Sequence, residues 1–201
     1  FVEILPERNQ DAELSAIVRR EVERIDSIIG QLLRFAGPPA ANFSLVRLHD
    51  IVESALRLIQ HQLVLHEIAV TRAFNSSNDL VDGDETHLRQ AFFNLFLNAM
   101  EATTGKGSLL ITTELASLSA AGEKLKQKIQ IAIQDTGSGI SKQDMPHLYE
   151  PFFSTKSDRT GLGLTVAGEI IHEHGGTIAV ESELKKGTTF KIILPVVNLS
   201  H

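Results

Sequence analysis

The chain has 201 residues, 42% of them hydrophobic and 5% aromatic, with a net charge of −6 and a pI near 5.7. That length supports one sizeable core plus a small extra element, and the acidic balance argues against a general nucleic-acid-binding surface. Without a cysteine there is neither a disulfide framework nor a thiolate metal site, and no run approaches the ~20 apolar residues of a membrane-spanning helix.

In chain order, an apolar stub and a polar turn at Pro6 to Asp11 precede a helical pattern over residues 11–36. Leu14, Val18, Ile25, Ile28, Leu32 and Phe35 keep an alternating four-three spacing, with Glu21 in the one missing slot. Such a seam predicts a bundle with a second copy, although a single amphipathic helix lying on its own domain has the same pattern. GPPAAN at residues 37–42 stops the helix and makes a short linker. A strand over 43–48, a helix over 49–66 and a strand over 68–74 follow.

The helix predicted over residues 84–103 is the most informative stretch. At 100° per residue, Leu88, Phe92, Leu95, Phe96 and Ala99 form one broad apolar face, widened by Phe93, Leu97 and Met100, which predicts burial. Gln90, Asn94, Asn98 and Glu101 share the narrow strip that remains. A buried amide is costly without a polar partner, so this strip is either a ladder bonded to neighbouring backbone, a solvent-facing strip, or the wall of a ligand site.

Strands over 108–115 and 128–134 come next. In the second, Ile129, Ile131, Ile133 and Asp135 alternate onto one face, so a carboxylate ends the strand on the core side and enters the turn DTGSG. An inward carboxylate needs a donor; Gly137 and Gly139 would let a flat ring approach the backbone, though Asp, Gly and Ser are also ordinary turn residues. A short helix is expected near 141–149. RTGLGLTVAGEIIHEHGG then opens a helix at a glycine turn, with Leu164, Ala167, Ile170 and Ile171 as its apolar side and Gly175-Gly176 as its stop. Free N–H groups at that helix start suit a phosphate chain, while a tight loop using glycine for packing has the same sequence. Strands over 177–183 and 188–194 close the chain. Strands that follow one another without an intervening helix predict a mixed sheet covered on one face by helices, an α+β fold.

In this order, NLFLNA, DTGSGI, PFFSTK, TGLGL and GTTF closely resemble the N, G1, F, G2 and G3 boxes of sensor histidine kinases. The resemblance implies a two-layer α/β sandwich of the Bergerat type over residues 42–201, preceded over 1–41 by part of the dimerisation and phosphotransfer helices. It implies ATP and Mg²⁺ as cofactors, with Asn98 coordinating the metal and Asn94 as its phosphate-side companion. Asp135 would accept the adenine amino hydrogen, Gly137, Gly139 and Ile140 would shape the pocket, and Thr188 would reach the same edge. Thr160, Gly161, Leu162, Gly163 and Leu164 would offer main-chain N–H groups to the phosphates. Lys156 would either screen the γ-phosphate or stand as an exposed lid lysine. The short segment between Lys156 and Thr160 is similar to the compact lid of nitrogen-regulator-type kinases.

The same resemblance implies a homodimer, a response-regulator receiver domain as partner, and a cytoplasmic location in a parent protein anchored upstream in the inner membrane. Binding of nucleic acid, and membrane contact by this chain itself, are not expected. Two positions depart from the family pattern: Arg159 stands where a glycine is common, and Glu101 where many relatives carry a lysine. None of the eight histidines has the His-Glu-plus-proline context of the phosphoacceptor, which is expected upstream of Phe1. His49, His61, His66, His87, His172 and His174 are read as surface or cap residues. In gyrase-like and chaperone-like ATPases a glutamate base lies one turn before the metal asparagine. Here that position is Asn94, which disfavours hydrolysis; a non-catalytic dimeric scaffold is the remaining alternative.

Overall fold

The computed structural model describes residues 41–117, 127–155 and 160–198. The predicted helix over 11–36 with its dimer seam, together with Lys156 and Arg159, lies outside them.

Seven strands and three α-helices are found among the described residues: β1 (Ser44–Arg47), α1 (Leu48–Leu65), β2 (Ile68–Phe74), β3 (Leu80–Gly83), α2 (Glu85–Ala102), β4 (Gly107–Ser117), β5 (Gln127–Asp135), α3 (Gly163–Glu173), β6 (Thr177–Glu183) and β7 (Gly187–Pro195). Five strands form a mixed sheet in the order β2-β4-β5-β7-β6, in which β2 and β4 run parallel and the other neighbours antiparallel. The alternation read in β5 is obeyed: Ile129, Ile131 and Ile133 are fully buried, and so are their inward neighbours Ile111 on β4 and Ile192 on β7. Helices cover that face, with α2 contacting both α1 and α3. Phe92 and Phe96 on α2 are fully buried beside Leu88 and Leu95, and truncating either ring would cost about 3–5 kcal/mol. The expected two-layer sandwich is therefore found.

Two elements differ from the sequence reading. β3 was not anticipated; it pairs with β1 in a separate two-stranded ribbon, which Asp79 fastens by accepting from the Leu48 and His49 amides, the first through its carbonyl and the second through its carboxylate. Four residues give too short an alternation to stand out from a loop. The short helix expected over 141–149 is reduced to a single 3₁₀ turn, Met145–His147. Pro146 removes a donor there, and Ser141 and Asp144 satisfy one another locally instead of continuing a helix.

Candidate functional site

Asp135 ends β5 with 2% of its surface exposed, as an inward position at a strand end requires. Its Oδ1 accepts from Gly137 N at 2.8 Å and Thr188 N at 3.2 Å, which joins the turn after β5 to the start of β7. Two glycines make that junction possible. An added Cβ at Gly187, where φ is +105°, would fall 2.0 Å from the Asp135 carbonyl oxygen, and one at Gly137 would fall 2.6 Å from the Ala102 carbonyl. Ser138 N donates to that same Ala102 carbonyl at 2.8 Å, so the turn is seated on the last residue of α2. Gly139 packs against the carbonyl of Glu183, and Ile140 is half-buried next to it with its amide on Ser182 Oγ.

The polar strip of α2 is half-buried while the positions flanking it are closed: Ala91, Leu95, Ala99 and Met100 are buried, and Gln90, Asn94, Asn98 and Glu101 are intermediate. One of the alternatives for that strip, bonding to neighbouring backbone, is realised at Asn94, whose Nδ2 donates to Gly163 O at 3.0 Å. Gly163 is the first residue of α3, a helix that begins at Leu162 without a side-chain cap. Its first N–H groups have no intrahelical acceptor by construction, so α3 presents a cluster of amide donors and the positive end of its dipole beside Asn94. Gly161, with φ +69°, brings this turn against the carbonyl groups of Phe152 and Phe153; a Cβ would meet them at about 2.5 Å. Leu162 is fully buried and Leu164 nearly so, and these two side chains hold the turn while its backbone stays available.

One helix thus meets both groups of residues. Asn94 touches the start of α3, and Ala102, eight residues on and about 12 Å along the axis, touches the turn after Asp135. Asn98 lies between them on the same face, one turn from Asn94. Asp135, Gly137, Gly139, Ile140 and Thr188 gather at one end, and Thr160, Gly161, Leu162, Gly163, Leu164 and Asn94 at the other. No cluster of three or more His, Cys, Asp or Glu side chains suited to a metal is found among the described residues.

Several residues of consequence were missed or misread. His174 caps α3 but is buried, donating from Nδ1 to Ile170 O at 2.7 Å and accepting Asp84 N on Nε2 at 2.9 Å. It stacks on Phe43 with ring centroids 4.8 Å apart. His87 is buried as well, and His49 bridges Asp79 and Thr113 while stacking on Phe74. Asp84 caps α2 through Thr86 N and His87 N, a role that an Asp directly before an apolar-periodic run could have signalled. Ser182 offered no such signal, being a polar residue in an alternating strand.

Residues 83–198 match the model of the histidine kinase-, DNA gyrase B- and HSP90-like ATPase family. The sensor histidine kinase ZraS of Salmonella typhi is 33% identical over 98% of this chain, which spans 41% of that protein. The nucleotide-free catalytic domain of histidine kinase ThkA superposes with a TM-score of 0.64 at 26% identity, covering 77% of this chain and 95% of that one. A structure of ThkA in complex with the response regulator protein TrrA shares the fold, with a TM-score of 0.73 at 23% identity over 98% of this chain and 53% of that one.

Proposed function

Because the chain belongs to the histidine kinase-, DNA gyrase B- and HSP90-like ATPase family, as a catalytic ATP-binding domain of the sensor histidine kinase type, we propose that it binds Mg-ATP across α2 and donates the γ-phosphoryl group to a histidine. The observation that carries this reading is the single helix whose Asn94 holds the α3 start and whose Ala102 seats the Asp135 turn, with Asn98 between them. The chain spans about two fifths of the length of the curated relatives it matches, so transfer itself is a property proposed for the parent protein.

The residues fit the group. A buried Asp135 with two backbone donors on one oxygen is held in place to accept from an adenine amino group, and Gly137 and Gly139, packed against the Ala102 and Glu183 carbonyls, fix the turn beside it. The Gly161 turn and the uncapped first turn of α3 give phosphate oxygens a set of N–H donors. Asn98 supplies a hard amide oxygen of the kind Mg²⁺ accepts beside phosphate and water, and the metal would neutralise charge on the transferring group. Asn94 acts as a positioning residue, since its amide nitrogen is engaged on Gly163 O and an amide cannot take a proton from water. Positioning and charge neutralisation suffice for transfer to an external nucleophile. The receiving histidine would lie in the phosphotransfer helices of a homodimeric, membrane-anchored parent, and a response-regulator receiver domain would take the phosphate onward. None of the described helices is long and apolar enough to cross a membrane.

The test uses γ-labelled ATP with this chain and, separately, with the parent protein carrying an Asn98→Ala block in its own site. The chain alone is expected to bind ATP and take up no label, and to transfer label onto the blocked parent as an acid-labile, alkali-stable phosphohistidine. Rapid ATP turnover by the chain alone would replace this reading with a hydrolase.

A further inference from the structure

Ser182 on β6 belongs to none of the glycine motifs, yet its Oγ is the hub of the base-proximal end. It lies 2.9 Å from Gly187 O, 2.9 Å from Thr188 Oγ1, and receives Ile140 N at 2.8 Å. A serine hydroxyl has one proton and two lone pairs, so three contacts fill it. A carbonyl oxygen carries no proton, and the hydrogen between Ser182 Oγ and Gly187 O must therefore be the serine's own. The Ile140 amide takes one lone pair. The contact with Thr188 Oγ1 then has to be made by the threonine's proton, which leaves Thr188 with lone pairs alone to offer any other group.

That polarity matters because Thr188 sits against Asp135. Its amide donates to Asp135 Oδ1, and the two residues are 3% and 2% exposed, so bulk water does not reorganise them. We propose that Ser182 is a positioning residue for nucleobase selectivity: by holding as an acceptor the hydroxyl of Thr188, whose amide grips the acceptor carboxylate of Asp135, it matches this end of the site to a 6-amino purine and against a 6-oxo purine. A 6-oxo group would set its own acceptor against these acceptors, and a buried polar group facing a like partner forfeits its hydrogen bond. The inference rests on the ATP-binding reading above and adds to it the residue that sets the direction of one proton.

Equilibrium binding of Mg-ATP and Mg-ITP to the whole chain tests it, in the parent, Ser182→Ala, Thr188→Val and the double variant. The parent is expected to prefer ATP. Ser182→Ala should narrow the ATP-to-ITP ratio by about tenfold, because the freed Thr188 proton can turn to meet an oxo group. With Thr188→Val already present, Ser182→Ala should change the ratio no further, and Ser182→Thr should restore the parent's ratio. An unchanged ratio in Ser182→Ala overturns the proposal, as does an equal narrowing with and without the Thr188 hydroxyl, which would mark a loop distortion. If Ser182→Ala does not fold, Thr188→Val decides: a ratio like the parent's overturns the proposal. A parent that binds neither nucleotide removes the ATP reading itself, whereas selective ATP binding with an indifferent Ser182 removes only this inference.

Discussion

The two ends of α2 are built from different materials. At the Ala102 end, side chains and backbone interlock: Asp135, Ser182 and Thr188 form a connected hydrogen-bond set, and Gly137 and Gly187 leave no room for even a methyl group. At the Asn94 end the groups on offer are main-chain N–H donors, tethered by side-chain bonds from Asn94 to Gly163 O and from Thr165 to Tyr149 O, with Gly161 packed on the Phe152 and Phe153 backbone. A base is flat and of fixed shape, so it is best read by a rigid, fully satisfied surface. A triphosphate is charged and conformationally free, and is best met by dipoles that can follow it.

The sharpest way to break this comparison is to add one methyl group at each end. Gly187→Ala would place a carbon 2.0 Å from the Asp135 carbonyl at a φ that L residues avoid, whereas the added carbon of Gly163→Ala would meet only Asn94, at 3.9 Å. The first should cost about 3 kcal/mol or more in urea unfolding, and the second should stay within about 0.5 kcal/mol, because Ala favours the helix. Equal costs at both positions would mean that the Ala102 end is no more tightly packed than the start of α3.

Next in size is Asp135→Asn. The amide keeps the shape but replaces an acceptor with a donor at one oxygen, and ATP affinity should fall by about 1–3 kcal/mol in calorimetric titration. Full affinity would take Asp135 out of the base contact. At the opposite end, Asn94→Ala removes one neutral hydrogen bond and should weaken ATP binding by only about 0.5–1.5 kcal/mol, while Asn98→Ala should abolish the dependence of binding on Mg²⁺. If Asn94→Ala cost more than Asp135→Asn, the tether would outrank the rigid surface.

The sequence made these ends unequally legible. Glycines and an inward Asp135 at the end of an isoleucine alternation announce a turn that must face the core, and the N–H cluster of α3 is readable from TGLGL before an apolar helix. Ser182 was invisible because a polar residue in a half-exposed strand normally meets water; its role comes from β6 pairing Ser182 with Thr188 across the β6–β7 ladder, a non-local fact. The burial of His174 and of His87 was missed for a similar reason. The burial of His174 depends on Gly83, where a Cβ would fall 2.6 Å from its ring, and thus on β3, which the sequence did not reveal.

A smaller effect concerns the start of α2, which sets the register of both ends. Burial pushes the Asp84 carboxyl pKa up, but the amides of His87, Asn42 and Thr86, with the nearby His87 imidazole, outweigh it and hold the pKa below the ordinary value of 3.8. A carboxyl whose pKa is lower when folded stabilises the fold in its charged form. Its contribution is therefore complete above the unfolded value, near pH 4, and is lost as the pH falls from there through the lower folded value. Replacing the cap by Asp84→Ala should cost about 1 kcal/mol at neutral pH. Because the variant has no carboxyl to protonate, the stability gap between it and the parent should close as the pH drops below about 3.8, and denaturant unfolding at several acidic pH values would follow it. A gap that stayed constant into that range would show that the cap acts through its shape and hydrogen-bond geometry alone, and one that widened would mean that the Asp84 pKa is raised in the folded chain.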